Sequence, residues 1–145
     1  MVVWLWRKHA ERPRRRREGT GKESTMDFDV SIDEHAEDYS VISVRGEVDL
    51  HSSPKVRYAI ERAAGRSPTV VVDMSGIAFM DSTALSMFAR TKDELAERGV
   101  SLRLAGPSEA VDRIFGITGF RDYFEIFPSR DEALPRRPDD RRPPA

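Results

Sequence analysis

From residue 28 onward, hydrophobic and polar residues alternate with the two-residue period of a half-buried strand. Residues 28–32 show this pattern, with Phe, Val and Ile separated by Asp and Ser, and residues 41–44 predict a second strand. The mostly polar residues 34–38 predict a turn, so the two strands are expected to form a hairpin. A short third strand is expected at Val48 and should end at Asp49.

Apolar residues at helical spacing follow the hairpin and predict the first long helix. Ser52 or Ser53 is the expected N-cap, because serine oxygens accept hydrogen bonds from free N–H groups at helix starts. Pro54 falls in the first turn, where its missing N–H costs little, and Gly65 is expected to end the helix.

The central stretch predicts a buried strand, a short apolar loop and the start of a second helix. The three β-branched residues Val70–Val72 indicate a strand that is covered on both faces. Asp73 is expected to mark the edge of the sheet, with the loop after it. Asp81, Ser82 and Thr83 then occupy N-cap positions ahead of the apolar residues of the second helix.

The remaining predicted elements alternate between strand and helix. They are a strand over residues 100–104, a helix over 108–114, a strand over 123–127 and a final helical turn over 129–134. This alternation implies parallel strands joined by helical crossovers. The sequence therefore predicts an α/β fold, with a mixed, mostly parallel sheet of about five strands that begins with the hairpin and has helices packed against it.

Composition divides the 145 residues into three parts. Residues 26–134 are long enough for one domain with a core, and they carry 12 Lys and Arg against 20 Asp and Glu, a net charge of −8. This charge argues against direct binding of nucleic acid by the domain. Residues 135–145, rich in Pro, Arg and Asp, are expected to be a disordered tail.

Residues 1–25 carry eight Lys and Arg against three Glu and allow three interpretations. They can be a disordered arm, a tail that contacts a membrane surface or nucleic acid, or a segment ahead of a true start at Met26. The third follows because Gly21-Lys22-Glu23 can be encoded as GGN-AAG-GAG, a ribosome-binding sequence. The apolar residues 1–6 are too short to span a membrane and precede the basic run, the reverse of a signal peptide. We expect no membrane partner.

The residue types limit the chemistry that is available. Without cysteine the chain has neither disulfides nor a thiolate metal site, and a reducing, cytoplasmic setting is the simplest. His9, His35 and His51 lie far apart, without the spacing of metal ligands. No metal and no cofactor are therefore expected.

Four short motifs together resemble the STAS domain of bacterial anti-sigma factor antagonists. They are Gly46-Glu47-Val48-Asp49, the serine-rich helix start after it, the run Val71 to Thr83, and Leu104-Ala105-Gly106-Pro107. The match extends from about Phe28 to Leu134, with the motifs in the family's order and at its separations. The resemblance implies a mixed sheet with helices on one side.

The resemblance also implies a partner switch in which this chain performs no catalysis. In the family, the unmodified domain binds an anti-sigma factor with a histidine-kinase-like ATPase fold, which frees a sigma factor. That partner can phosphorylate the serine after Asp, here Ser82, with Thr83 as second choice, and a PP2C-type phosphatase resets the domain. The expected partner-binding residues are Asp49, Asp81, Ser82, Thr83 and Ala84.

Phosphorylation of Ser82 would change the charge of the expected docking surface. It adds about −1.5 to −2 charges at pH 7, next to Asp81 and, by expectation, near Asp49 and Asp73. Burying an imperfectly paired dianion in an interface costs about 2 to 5 kcal/mol. This corresponds to a loss of about 30-fold to several thousandfold in affinity.

The sequence departs from the family immediately after the acceptor. Ala84-Leu85-Ser86 stands where the family has Gly-Leu-Gly. The added methyl group of Ala84 favours the helix by about 0.5 to 1 kcal/mol and could restrict the approach of a partner. Nearby apolar residues either pack in the core or form an exposed rim around Ser82, which would be a protein-binding surface: Met74, Phe79, Met80, Met87 and Phe88.

Three alternatives compete with the phosphorylation switch. The chain could be a non-phosphorylated STAS adaptor in a signalling or lipid-transport assembly, or Ser82 could serve only as a helix N-cap. A phosphoryl-transfer enzyme would use three carboxylates to hold magnesium, those of Asp49, Asp73 and Asp81. Against the enzyme, the domain begins with a hairpin rather than a strand–helix unit and has Arg103 where a receiver carries lysine.

Overall fold

The predicted hairpin opens the domain, and strands and helices alternate after it. The structure is a computed structural model that describes residues 28–136. Its elements are β1 (Asp29–His35), β2 (Ser40–Val48), α1 (Ser53–Ala64), β3 (Thr69–Met80), α2 (Ser82–Glu97), β4 (Ser101–Ala105), α3 (Glu109–Thr118), β5 (Glu125–Phe127) and α4 (Arg130–Ala133), with a turn of 3-10 helix at Phe120–Asp122.

The five strands form one mixed sheet in the order β1-β2-β3-β4-β5. The hairpin pair β1–β2 is antiparallel, and the pairs β2–β3, β3–β4 and β4–β5 are parallel. A helix connects each parallel pair, because parallel neighbours require a crossover. The predicted fold class and strand number are confirmed.

The sheet is covered on both faces, and the larger core lies on the side of the three long helices. Val70 and Val72 belong to this core, together with Phe88 of α2 and Phe115 of α3. Val71 points to the other face, where it packs with Val41, Ala105 and Ala133 of α4. All of Val70–Val72 are 0% exposed, as their sequence predicts. The short α4 adds a helix on the side where the resemblance implies none.

Two predicted strand boundaries are wrong. No separate strand exists at Val48, since β2 continues through Gly46, which has a φ of 95°, and ends at Val48. The central strand does not leave the sheet at Asp73, and no loop follows it, because β3 continues to Met80. The predictions for residues 1–25, and for residues 137–145 of the tail, lie outside the described residues. Within residues 28–136, no helix is long and apolar enough to cross a membrane.

β3 remains paired with β2 to its end by means of two bulges. At two places β3 contains one residue more than the opposite segment of β2. After each extra residue, the side chains of β3 that would have faced one side of the sheet face the other. Two pairs of adjacent exposed residues, 75–76 and 78–79, fall at these bulges. The paired Cα positions around them are Ser43 with Asp73, Arg45 with Gly76, Gly46 with Ile77, and Glu47 with Phe79.

The first bulge depends on the glycine at position 76. A Cβ atom there would lie 2.7 Å from Arg45 Cγ and 3.2 Å from the Val44 carbonyl oxygen. Both distances are shorter than ordinary contacts, so β2 leaves no room for a side chain.

We expect Gly76→Ala to lower the free energy of unfolding by about 1 to 3 kcal/mol, because the methyl group would overpack the strand pair. Arg45→Ala removes the nearer contact and should recover part of this loss in the double variant. Urea denaturation measures both effects. Gly65→Ala is the control, since its Cβ would lie at an ordinary contact distance of 3.5 Å from the Arg62 carbonyl oxygen. A Gly76→Ala variant as stable as the parent would contradict this account of the bulge.

Candidate functional site

The carboxyl ends of β2 and β3 bring two carboxylates to one edge of the sheet. Val48 and Met80, the last residues of these parallel strands, are direct neighbours in the register. The Asp81 N–H donates a hydrogen bond to the Val48 carbonyl oxygen at 3.3 Å. Since neighbouring strands are about 4.8 Å apart, Asp49 and Asp81 begin side by side. We call Asp49 and residues 81–83 the strand-end site.

Asp49 organises the turn between β2 and α1. Its Oδ1 accepts hydrogen bonds from the N–H groups of His51 at 2.9 Å and Ser52 at 3.0 Å. The Asp49 N–H in return donates to Ser52 Oγ at 2.9 Å. The Ser52 N–H, with further hydrogen bonds from the Ser52 hydroxyl and the His51 N–H, lowers the pKa of Asp49 despite some desolvation. Asp49 is therefore a fixed negative charge at neutral pH.

Contrary to the prediction from the sequence, the serine before α1 does not cap the helix with its side chain. Ser52 occupies the N-cap position, but its side chain makes no capping hydrogen bond to the helix. Its hydroxyl donates instead to the Glu47 carbonyl oxygen at 2.8 Å. Pro54 lies in the first turn, as predicted.

Asp81 is the N-cap of α2. Its backbone is extended, with φ −102° and ψ −175°, and its carboxylate accepts a hydrogen bond from the Ala84 N–H at 3.0 Å. The Leu85 N–H bonds to the Asp81 carbonyl oxygen at 3.1 Å. A carboxylate in this position also interacts favourably with the positive end of the helix dipole.

Ser82 is the first residue of α2, and its side chain is exposed. Among residues 28–136, its hydroxyl has no hydrogen-bond partner. The alternative that Ser82 is only an N-cap is wrong, because Asp81 caps the helix. The Ser82 hydroxyl is therefore free to react or to contact a partner.

Thr83 and Ala84 follow Ser82 but are less accessible. Thr83 is half-buried. Ala84 is 0% exposed and packs in the main core, so its methyl group does not project toward a partner. The expected restriction by its methyl group is wrong, because this group lies in the core. The expectation that Ala84 is one of the partner-binding residues stays a prediction.

Of the apolar residues that could form a rim around Ser82, only Phe79 is exposed. Its side chain is 47% exposed, whereas the other four are buried: Met74, Met80, Met87 and Phe88. Leu50, which the sequence reasoning missed, is 64% exposed directly after Asp49. A single leucine within the polar turn after a strand was the available signal.

Asp73 does not join the strand-end site. Arg130 Nη2 donates to Asp73 Oδ2 at 2.9 Å, to Asp33 Oδ2 at 3.0 Å and to Ser43 Oγ at 2.9 Å. Met80 follows Asp73 by seven residues along β3, which corresponds to about 20 Å at the rise of a strand. The expectation that Asp73 lies near Ser82 is wrong, and the three carboxylates of the enzyme alternative do not converge.

The Arg130 network keeps two partly buried carboxylates ionised. Burial by itself raises the pKa of Asp33 and of Asp73, but hydrogen bonds from neighbouring serines and from Arg130 outweigh it. The pKa of each carboxyl is consequently below its ordinary value. Because Asp33, Ser43, Asp73 and Arg130 belong to four different elements, the network joins β1, β2 and β3 to α4.

Comparison with known proteins agrees with this geometry. The STAS domain model matches residues 30–133. The chain belongs to the STAS domain family. The resemblance inferred from its four motifs is thereby confirmed.

Relatives of this STAS domain include antagonists of anti-sigma factors. It is 35% identical over 102 residues to the anti-sigma-B factor antagonist of Listeria monocytogenes, covering 70% of this chain and 90% of that protein. It is 31% identical over 101 residues to the Bacillus subtilis anti-sigma-B factor antagonist, covering 70% and 92%. The crystal structure of an anti-sigma factor antagonist from Mycobacterium paratuberculosis is similar with a TM-score of 0.67 at 27% identity, covering 77% and 94%.

The capping assignment predicts different stabilities for two adjacent substitutions. Asp81→Ala should lower the free energy of unfolding by about 0.5 to 2 kcal/mol, because the Ala84 N–H loses its acceptor. Ser82→Ala should change it by less than about 0.5 kcal/mol, because no internal hydrogen bond is lost. Chemical denaturation of both variants, with Asp81→Asn as the cap-preserving control, tests this. Equal losses for Asp81→Ala and Ser82→Ala would contradict the assignment.

The Arg130 network predicts an acid-sensitive part of the stability. The pKa values of Asp33 and Asp73 are lower in the folded protein than the ordinary value of 3.8 that applies to the unfolded chain. Their ionised forms therefore stabilise the fold at a pH above 3.8, and this stabilisation is lost as the pH falls through the pKa of the folded state. Arg130→Gln removes the cation, so its deficit in free energy of unfolding should narrow as the pH falls from 7 to below about 4.

Denaturation of the Arg130→Gln variant over this pH range provides the measurement. Arg121→Gln is the control, because Arg121 and Asp112 are about half exposed and their pair should contribute less than about 1 kcal/mol. A deficit of Arg130→Gln that stays constant with pH would overturn the role assigned to the two carboxylates.

Proposed function

We propose that this STAS domain is a cytoplasmic anti-sigma factor antagonist that binds its partner through the strand-end site. The observation that carries the proposal is the exposed Ser82 hydroxyl, which follows the capping Asp81 and makes no internal hydrogen bond. The relatives support it, since two named anti-sigma-B factor antagonists match this chain over at least 90% of their length.

The partner is an anti-sigma factor with a histidine-kinase-like ATPase fold, which transfers the γ-phosphoryl group of ATP to Ser82. The Ser82 oxygen forms the new bond to phosphorus, ADP leaves, and the hydroxyl proton is released. Ser82 is favoured over Thr83 because Ser82 is exposed and Thr83 is half-buried. A PP2C-type phosphatase hydrolyses the phosphate and restores the docking form.

Electrostatics makes this modification an effective switch of binding. The phosphate adds about −1.5 to −2 charges next to Asp81 and to the ionised Asp49. Free N–H groups of the first turn of α2 offset part of that charge. A partner that fits a neutral hydroxyl would have to bury the remainder, which costs about 2 to 5 kcal/mol.

The fold itself does not need to change on phosphorylation. Asp81, not Ser82, caps α2, so modifying the Ser82 oxygen breaks no hydrogen bond among residues 28–136. The switch therefore acts on the docking surface while the sheet and helices remain in place.

Substitutions at Ser82 test the proposal. Each variant is assayed for binding to the anti-sigma factors of the same organism that have a histidine-kinase-like ATPase fold. Ser82→Asp should weaken binding by about tenfold or more, because it adds a charge to the interface. Ser82→Ala should bind but accept no phosphate from ATP, and Thr83→Ala should still be phosphorylated. Calorimetric binding and intact mass after incubation with ATP provide the readouts.

The outcomes separate this function from its alternatives. Unchanged binding by Ser82→Asp, with no phosphate on the parent protein, would favour a non-phosphorylated adaptor. Phosphate on Ser82→Ala but not on Thr83→Ala would move the acceptor to Thr83. If the parent domain bound none of these anti-sigma factors, the antagonist function would be wrong.

A further inference from the structure

Two large apolar side chains are exposed beside the strand-end site. Phe79 is 47% and Leu50 is 64% exposed. Glu47, which pairs with Phe79, precedes Leu50 by three residues, so the Cα atoms of Phe79 and Leu50 are at most about 16 Å apart. Ser82 follows Phe79 by three residues, a separation of at most about 11 Å. All three side chains fit within one interface of ordinary size.

The second bulge of β3 is the reason that Phe79 faces outward. In a regular strand Phe79 would share a face with Ile77, which is 1% exposed and packs in the core. The extra residue between the pairs Gly46–Ile77 and Glu47–Phe79 reverses the alternation. Met80 consequently takes the core position and Phe79 the outer one.

The other large exposed apolar residues among residues 28–136 differ in their surroundings. Tyr58 accepts a hydrogen bond from Arg62 at 3.2 Å. Tyr123 donates to Asp93 at 2.6 Å, and Lys92 lies over its ring at 4.8 Å from the centroid. Ile117, at 77% exposed, lies on α3. Of these exposed residues, only Leu50 and Phe79 lie beside the strand-end site.

We propose that Phe79 and Leu50 are the apolar anchors by which the unmodified domain docks onto its anti-sigma factor. The inference rests on the proposed function and adds the chemistry of the partner surface. Glu47 is exposed and is paired with Phe79 in the sheet. Asp49 immediately precedes Leu50, and Asp81 follows Phe79 by two residues, so three acidic residues adjoin the anchors. The complementary surface is therefore an apolar depression with Arg or Lys at its rim.

This arrangement explains how one phosphate can control docking through the anchors. Apolar anchors contribute affinity when a surrounding ring of contacts excludes water. A dianion on Ser82 brings its hydration shell into that ring, within reach of Phe79. The anchors keep their conformation, but water is no longer excluded from the partner pocket that would hold them.

Alanine substitutions at the anchors test the inference. Phe79→Ala and Leu50→Ala should each reduce affinity for the bound anti-sigma factor by about tenfold or more. Ile117→Ala is the matched control, a more exposed apolar residue on α3, and should stay within about twofold of the parent. Because both anchors are exposed, thermal unfolding should confirm that the variants remain folded. Phe79→Ser and Leu50→Ser provide second variants at each position.

The results distinguish this inference from the proposed function. If the parent binds, Ser82→Asp loses binding, and both anchor variants bind within about twofold of the parent, the anchors are wrong while the switch stands. If Ile117→Ala loses as much affinity as Phe79→Ala, the apolar contact with the partner is not confined to Phe79 and Leu50, and the inference is wrong. If the parent binds no anti-sigma factor, the anchors fail together with the proposed function.

Discussion

The pairing of β2 with β3 up to their last residues is the constraint on which the strand-end site depends. It places Val48 beside Met80, so the segments that start α1 and α2 leave the sheet from the same edge. The paired part of β3, Val70–Met80, is two residues longer than β2, and two bulges in β3 accommodate these residues. Each bulge changes which side chains face the core, because the faces of a strand alternate with a period of two. The pairing of β2 with β3 therefore positions both the strand-end site and the exposed apolar residues beside it.

The strand-end site separates the residue that holds the helix from the residue available for modification. Asp81 caps α2 and Asp49 ties down the preceding turn, so both carboxylates have structural hydrogen bonds. Ser82 lies between the cap and the buried Ala84 without such a bond. A residue without an internal role can carry a charge and then lose it while the surrounding backbone stays fixed.

On the face of the sheet covered by α4, charged residues form an ion-pair network. There Arg130 neutralises Asp33 and Asp73 and joins α4 to three strands. These carboxylates lie within an ion-pair network, whereas none of the ion pairs among residues 28–136 involves Asp49 or Asp81. Three aspartates at apparent strand ends look equivalent in the sequence. The fold places one of them in an ion-pair network that joins α4 to the sheet, and the other two at the strand-end site, where they hold the starts of α1 and α2.

The sequence alone determined the hairpin, the strand–helix alternation and a polar helix start at residues 81–83, because these depend on local periodicity and capping chemistry. Only the tertiary structure decided that β3 continues past Asp73, because a bulged strand loses its two-residue period and its pairing comes from a distant segment. The same long-range pairing turned Phe79 outward, while packing against the core buried Ala84. Arg130 reached Asp73 across 57 residues of chain. Local chemistry thus located the polar helix start, and non-local contacts defined the surface around it.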